Sequence, residues 1–372
     1  MSEGRLFIGL MSGTSLDGID GVLVDLATAG RPLAVLAHAH APFAAALRSE
    51  LLALNTPGAD ELARAALAAN ALARANAGVV GRLLAQAGVD RKSVRAIGSH
   101  GQTVRHRPGA VDGIGYTLQL DNPALLAELT GIDVAADFRR RDLAAGGQGA
   151  PLVPAFHREV FARAGETVVV LNLGGVANLS VLAPTATTGF DCGPGNALLD
   201  HWCERHTGAP FDEGGRWAAS GRVVEPLLAG LKAEPYLALP PPKSTGRDLF
   251  NPGWLASRLT AHATARPEDV QATLAEFSAR CVADAVDRHA PAAVRVVVCG
   301  GGACNEDLLR RLAAALPGRA VITSAACGLP PLQVEAAAFA WLAARCIARE
   351  PGNLPSVTGA AGPRVLGAIY PR

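Results

Sequence analysis

Short apolar runs closed by turn residues recur along this chain and predict strands. Residues 5–11 form the first run, the polar turn SGTSLDG follows, and residues 19–26 form the second. A Gly-Arg-Pro turn then leads to a third strand near 33–38. Runs of this length, bounded by Gly, Pro and Ser, suit buried strands. Over about 44–87 the pattern changes to an Ala/Leu-rich stretch of helical composition, with Asp60 placed as a cap. Residues 93–97 read as a strand ending at SHGQT, and 122–130 as a short helix stopped by Gly131. The opening pattern then recurs: a strand at 167–173, a Gly-Gly turn, a strand at 176–182, and a third at 187–191. A further strand, 294–299, runs into GGGACN and a helix from about 306 to 316. The Gly-rich segment 145–150 (AGGQGA), followed by Pro151, is the linker expected between the halves. An α/β protein of two similar lobes with a cleft between them follows from this order.

Size and charge narrow the function. A chain of 372 residues, 49% hydrophobic, is long enough for two domains with separate cores. Lys and Arg total 34 against 33 Asp and Glu, a net charge of +1, and aromatics are 5%. Neither the basic face nor the stacking platform of a nucleic-acid binder is present. Only Lys92, Lys232 and Lys243 are lysines, so a Lys within a motif merits attention. The seven cysteines show no CxxC pair and predict reduced thiols rather than a disulfide framework or a zinc ribbon. No apolar stretch approaches the ~18 residues of a membrane span, and the N-terminal run is too short for a signal peptide. A cytoplasmic location is expected.

Several motifs carry candidate chemistry. MSGTSLDG (11–18) joins two strands with two glycines, three hydroxyls and a carboxylate. Its backbone N–H groups and hydroxyls can surround phosphate oxygens, and Asp17 can hold a hydrated Mg²⁺; an ordinary hairpin explains the glycines equally well. NLGGVAN (172–178) repeats the design, so the pair fits a phosphate chain held from two sides. CGGGACN (299–305) follows a strand and opens a helix, but Asn305 stands at the third Gly position and no acid follows about 20 residues on, which disfavours a dinucleotide site. In GFDCGPGN, Asp191 at a strand end is a candidate general base, with a turn or helix cap as the plain alternative. ADFRRRD (136–142) presents three Arg between carboxylates, either a solvated face or a binding site for a carboxylate or phosphate. The pairs His100/His106 and His201/His206 lack a third ligand and predict no metal site. Cys192 reads as a packed side chain, not a nucleophile.

Taken in order, MSGTSLDGID, SHGQTVRH, ADFRRRDLAAGGQGAPLVPAFH, LNLGGVANL, FDCGPGN, PPKSTGRDLFN, CGGGACN, VEAAAFAWLA and GNLPSVTGA resemble the anhydro-N-acetylmuramic acid kinase family of the sugar kinase/heat-shock-70/actin superfamily. The resemblance spans nearly the whole chain. It implies two ribonuclease-H-like (actin-like ATPase) lobes with a nucleotide and substrate cleft between them, one of 1–145 with 346–372 packing back on it, the other of 146–345. It implies ATP and Mg²⁺ as cofactors, with Gly13, Thr14, Ser15, Leu16, Asp17, Gly18, Ile19 and Asp20 as the ATP loop. Gly174, Gly175, Gly300, Gly301, Gly302 and Asn305 would complete the nucleotide contacts, Asp17 would meet the metal through water, and Asp191 would be catalytic. Asp137, Arg139, Arg140 and Glu335 would line the sugar side.

The implied reaction opens 1,6-anhydro-N-acetylmuramic acid with water and phosphorylates O6, giving N-acetylmuramic acid 6-phosphate and ADP in cell-wall peptidoglycan recycling. The other readings are an ordinary sugar kinase of the superfamily and a non-catalytic actin-like nucleotide switch. The resemblance also implies a homodimer with an amino-sugar substrate, and neither nucleic-acid nor membrane partners. The chain departs from the family pattern at Cys192 (usually Thr), Asp121 (Gly) and Asp248 (Glu).

Overall fold

The computed structural model describes residues 5–13, 15–26, 33–241, 243–245 and 249–372; Thr14 and Asp248 lie outside the described residues. The strands of the first half are β1 (Leu6–Met11), β2 (Gly18–Asp25), β3 (Ala34–Pro42), β4 (Val94–Ser99), β5 (Gln102–Pro108), β6 (Gly115–Leu120) and β7 (Val134–Ala136). Those of the second are β8 (Thr167–Leu173), β9 (Val176–Leu182), β10 (Thr187–Pro194), β11 (Ala293–Cys299) and β12 (Ala320–Thr323), and β13 (Ala368–Tyr370) ends the chain.

Two sheets follow one path. The first has the order β13-β7-β4-β1-β2-β3 and the second β10-β9-β8-β11-β12. In each, an antiparallel meander of three strands is extended by parallel strands beside its first member: β4 beside β1, and β11 beside β8. This is the ribonuclease-H-like arrangement, present twice. Central strands such as β8 (TVVVLNL) are buried on nearly every residue, which is why they read as continuous apolar runs rather than alternations. β5 and β6 form a separate two-stranded hairpin that the apolar pattern does not reveal, because QTVRHRP carries polar residues throughout.

The helices obey the local signals in most places. Asn122 caps Pro123–Thr130 by accepting from the Leu125 N–H at 3.0 Å, and Gly131 ends it at φ +66°. Asn305 caps Glu306–Ala315 through the Leu308 N–H at 2.9 Å. Asp60 does not behave as expected. It precedes Glu61–Ala87 in a left-handed conformation, φ +53°, and its side chain accepts no capping bond. The helix holds instead through its apolar stripe of Leu72, Val79, Val80 and Leu83, all buried.

The chain divides into two compact units, Met1–Val160 with Gln333–Arg372, and Phe161–Leu332. The expected boundaries at 145/146 and 345/346 therefore move, for two physical reasons. AGGQGA is not a linker: the Gly149 N–H donates to Asp142 Oδ2 at 2.7 Å, and the Gln148 N–H to the Thr358 carbonyl at 2.8 Å. The whole helix Val334–Ile347, not only the tail beyond it, packs on the first sheet. A Cβ added at Gly9 of β1 would collide with the Ala336 carbonyl, and one at Gly98 of β4 with the Phe339 carbonyl. Gly9 and Gly98 thus let the backbone of this alanine-rich helix lie directly on two strands.

Candidate active site

In the first unit the β1–β2 turn is built from the inside. The Gln102 side chain donates to the Gly13 carbonyl at 3.1 Å, and the Ser12 hydroxyl to the Gly101 carbonyl at 3.1 Å. Leu16 adopts φ +56°, and its buried side chain anchors the turn in the core, as does Ile19. Such a conformation is costly for a residue with a Cβ, so packing must hold it in place. Leu16 and Ile19 therefore present no side chain to a ligand, and the Leu16 N–H already donates to the Gly13 carbonyl at 3.3 Å. Ser15 donates to Asp17 Oδ1 at 2.8 Å and orients an exposed carboxylate. Gly13 has space around it, the nearest atom to an added Cβ being Ser15 Oγ at 3.4 Å, whereas one at Gly18 would meet the Ala41 carbonyl of β3. Strand packing alone thus requires glycine at 18. Asp20 faces His38 and His40 on β3, at 3.3 and 3.1 Å.

A second polar network in the same unit joins SHGQT, ADFRRRD and the helix from Val334. His100 is buried; its Nδ1 donates to the Ser12 carbonyl at 3.2 Å, and its Nε2 accepts from Arg139 Nη2 at 2.9 Å. Burial, then the Arg139 charge, pull His100 down to about 3, so these partners fix one neutral tautomer. Arg139 also donates to the Gly149 carbonyl at 2.9 Å. Burial lowers its guanidinium to about 10 against the opposing charges of Glu335 and Asp142. Asp137 sits at φ +61° with its carboxyl pushed up by burial, and Arg140, exposed, lies 3.6 Å from it. Asp137, Arg139 and Glu335 thus share one neighbourhood, with Arg140 at its rim.

Two buried carboxylates here went unremarked as functional groups in the sequence. Asp142 accepts from the Gly149 N–H, from Asn353 Nδ2 at 2.7 Å and from Thr358 Oγ1 at 2.8 Å, so GNLPSVTGA and AGGQGA are clamped together through one carboxylate. Asp121 has both carboxylate oxygens buried without a well-formed hydrogen bond, and burial raises it to about 6 against the nearby Ser99 hydroxyl and Asn122 N–H.

In the second unit three glycine turns meet. The Gly174 carbonyl accepts from the Asn196 N–H at 2.8 Å, and the Gly175 carbonyl from the Gly195 N–H at 3.0 Å. Asn196 Nδ2 donates to the Leu173 carbonyl at 3.1 Å. Gly300, at φ +78°, has no room for a Cβ against Asn172 and Leu173, while Gly301 is open, its nearest neighbour being Asn196 Nδ2 at 3.8 Å. Gly174, Gly175 and Gly300–Gly302 therefore form one cluster, with the buried Asn172 Oδ1 unpaired inside it. Asn305 is held beside it as a helix cap.

Asp191 lies at the bulge of β10 opposite Asn178. Its Oδ2 accepts the Thr245 N–H at 2.9 Å, its own N–H donates to the Lys243 carbonyl at 3.2 Å, and its carbonyl accepts the Tyr236 hydroxyl at 2.9 Å. Burial raises its carboxyl to about 6, with the Thr245 N–H and the Lys243 charge opposing. A carboxylate near neutrality, held by backbone groups, is suited to accept a proton. Tyr236, Lys243 and Thr245 were not predicted to hold it; the PPKSTG motif and the scarcity of lysine were the only signals. Cys192 is buried with its thiol pushed up, first by burial and then by Asp191, as expected of a packed side chain. Among the described residues no group of three or more His, Cys, Asp or Glu side chains could hold a metal ion, and no helix is long and apolar enough to cross a membrane.

Comparison with known proteins covers the full length. The family model described as anhydro-N-acetylmuramic acid kinase matches residues 5–372. The chain is 66% identical over 374 residues to the anhydro-N-acetylmuramic acid kinase of Variovorax paradoxus, covering 99% of each chain. It is 62% identical to that of Bordetella petrii, covering 100% of this chain and 97% of the relative. With that of Cupriavidus metallidurans it shares 60%, covering 99% and 98%.

Proposed function

The chain belongs to the anhydro-N-acetylmuramic acid kinase family, and from that membership we propose the reaction and the residues that perform it. It is an enzyme, a kinase whose substrates are ATP and anhydro-N-acetylmuramic acid. Chemistry dictates the rest of the reaction. A 1,6-anhydro sugar has no free 6-hydroxyl, because O6 is bonded to C1. Phosphorylation at O6 therefore requires the C1–O6 bond to break and a water oxygen to bond to C1. Asp191 takes one proton from that water, C1–O6 cleaves, and O6 attacks the γ-phosphorus with ADP as leaving group. The products are N-acetylmuramic acid 6-phosphate and ADP. The observation that carries this reading is the Asp191 carboxylate, raised by burial to about 6 and fixed by the Thr245 N–H.

The glycine cluster of the second unit and Gly13 with residues 15–17 of the first each supply backbone N–H groups suited to phosphate oxygens, the main resource of phosphoryl-transfer catalysts. A Mg²⁺ ion arriving with ATP keeps most of its waters and needs one or two carboxylates. The exposed Asp17 carboxylate, braced by Ser15, fits that need through water. When bound, the ion supplies charge neutralisation on the phosphates. Arg139, Asp137 and Glu335 contact the sugar, and Arg140, the exposed member, suits its lactyl carboxylate by charge.

A coupled ADP assay with three conditions tests this reading. ADP is expected with anhydro-N-acetylmuramic acid and essentially none with N-acetylmuramic acid or without sugar. Equal turnover on N-acetylmuramic acid would indicate an ordinary sugar kinase, and turnover independent of sugar a nucleotide switch.

A further inference from the structure

Behind the Asp191 strand the second unit contains a cavity of about 180 Å³. Cys192 is one of its walls; Asp191 itself does not line it. Its charges are unevenly matched. Of the two carboxylates on its lining, Asp284 pairs with Lys232 at 2.9 Å, and Glu234 pairs with Arg258 at 3.1 Å while accepting from Trp254 Nε1 at 2.8 Å. The remaining cations are Lys243 and Arg288. Both donate to the same oxygen, the Leu237 carbonyl, each at 3.2 Å. Lys243 also donates to the Tyr236 carbonyl at 3.3 Å and lies over the Tyr236 ring, 4.8 Å from its centroid. Two cationic heads therefore stand within two hydrogen-bond lengths of each other. Among the described residues no carboxylate forms an ion pair with either of them.

Like charges held together in this way repel, and the carbonyl dipole, with the Asp191 charge acting on Lys243 at longer range, compensates only in part. A doubly charged anion between them turns the repulsion into two charge-assisted hydrogen bonds. His289, on the same lining, is lowered by burial and by both cations, so it is neutral near pH 7 and adds an uncharged hydrogen-bonding group. The volume suits a tetrahedral oxyanion with a little water, or a small ester of one.

We propose that this cavity is a binding site for a phosphate group, free or on a small ester, held by Lys243 and Arg288. The same segment that lines it also holds the base. Tyr236 and Lys243 contact the Asp191 backbone, and Thr245, two residues on, contacts its carboxylate. An anion that draws Lys243 away from the Leu237 and Tyr236 carbonyls loosens that hold, so occupancy lowers kcat. This coupling rests on Asp191 acting as the base; the binding itself does not.

Calorimetry with inorganic phosphate on the full chain, its nucleotide site first saturated with ADP, tests the site. The wild type is expected to bind one phosphate per chain. Arg288 is exposed, so its replacement should leave the fold intact. Arg288→Gln is expected to weaken phosphate about tenfold or more, Arg288→Lys to retain binding, and ADP affinity to stay constant in all three. Glucose 6-phosphate as competitor separates the sources: displacement of phosphate means that the cavity admits esters, and none means that free phosphate is the ligand. No phosphate bound by the ADP-saturated wild type, or unchanged affinity in Arg288→Gln, would overturn the proposal. Phosphate binding that depends on Arg288 without any effect on kcat would leave the site standing and refute its coupling to Asp191.

Discussion

Asp191→Asn is expected to lower kcat by a factor on the order of 10²–10⁴ while nucleotide affinity stays within about twofold of wild type. Asparagine keeps the shape of the side chain, and its oxygen still accepts the Thr245 N–H. The contacts from Tyr236 and Lys243 are to the Asp191 backbone and survive the change. Only the proton acceptor is removed. The wild-type pH profile should agree: the base works when ionised, so kcat is expected to fall as pH drops below about 6, and that acid limb should vanish from the residual activity of the variant. Stability should move the other way. A carboxyl raised from 3.8 favours the folded state when protonated, and this contribution is lost as pH rises through about 6. At pH 7 the Asn variant should therefore melt no lower than wild type. Near-wild-type turnover in the folded variant would remove Asp191 from the mechanism.

Asp142→Ala is expected to destabilise the first unit by about 3 kcal/mol or more, since hydrogen bonds to a charged group contribute roughly 1.5–3 kcal/mol each and do not add fully. The side chain is fully buried and serves the Gly149 N–H, Asn353 and Thr358 at once. Alanine leaves three donors without their acceptor. Asp142→Asn should lose less, because one oxygen remains, but its amide nitrogen must then face a donor. Hydrogen exchange at the Gly149 amide, with denaturant melts of the three proteins, checks the order wild type, Asn, Ala. An alanine variant within about 0.5 kcal/mol of wild type would show that the clamp contributes little.

Asp142 also shows where sequence reading stops. AGGQGA has the composition of a flexible linker, and nothing local contradicts that reading. Its order comes from a carboxylate a few residues upstream and from Asn353 and Thr358, some two hundred residues away. The repeated strand–turn–strand–strand opening was legible because buried central strands and their glycine turns are local signals. So were the helices at 122–130 and about 306–316, although the capping by Asn122 and Asn305 at their starts is seen only in the structure. Asp60 misled because the residue type suits a cap while its backbone took a left-handed turn instead. β13, three residues long, has too little pattern to read and exists by pairing with β7. Asp191 was found as a candidate, but its environment was not, since Tyr236, Lys243 and Thr245 reach it from a separate segment. Gly18, placed in the ATP loop by resemblance, turns out to be required by the approach of β3.

The most direct test of the account is the path of solvent oxygen. With anhydro-N-acetylmuramic acid and ATP in ¹⁸O-water, water bonds to C1 and O6 accepts the phosphoryl group, so no solvent oxygen enters the phosphate. Mass spectrometry is expected to show sugar 6-phosphate whose phosphate group is unlabelled, formed one for one with ADP. Label at C1 decides less, because a free reducing sugar exchanges that oxygen with water unaided. Labelled inorganic phosphate as the main product, with no sugar phosphate, would mean that water attacks the γ-phosphorus directly, and would contradict the account.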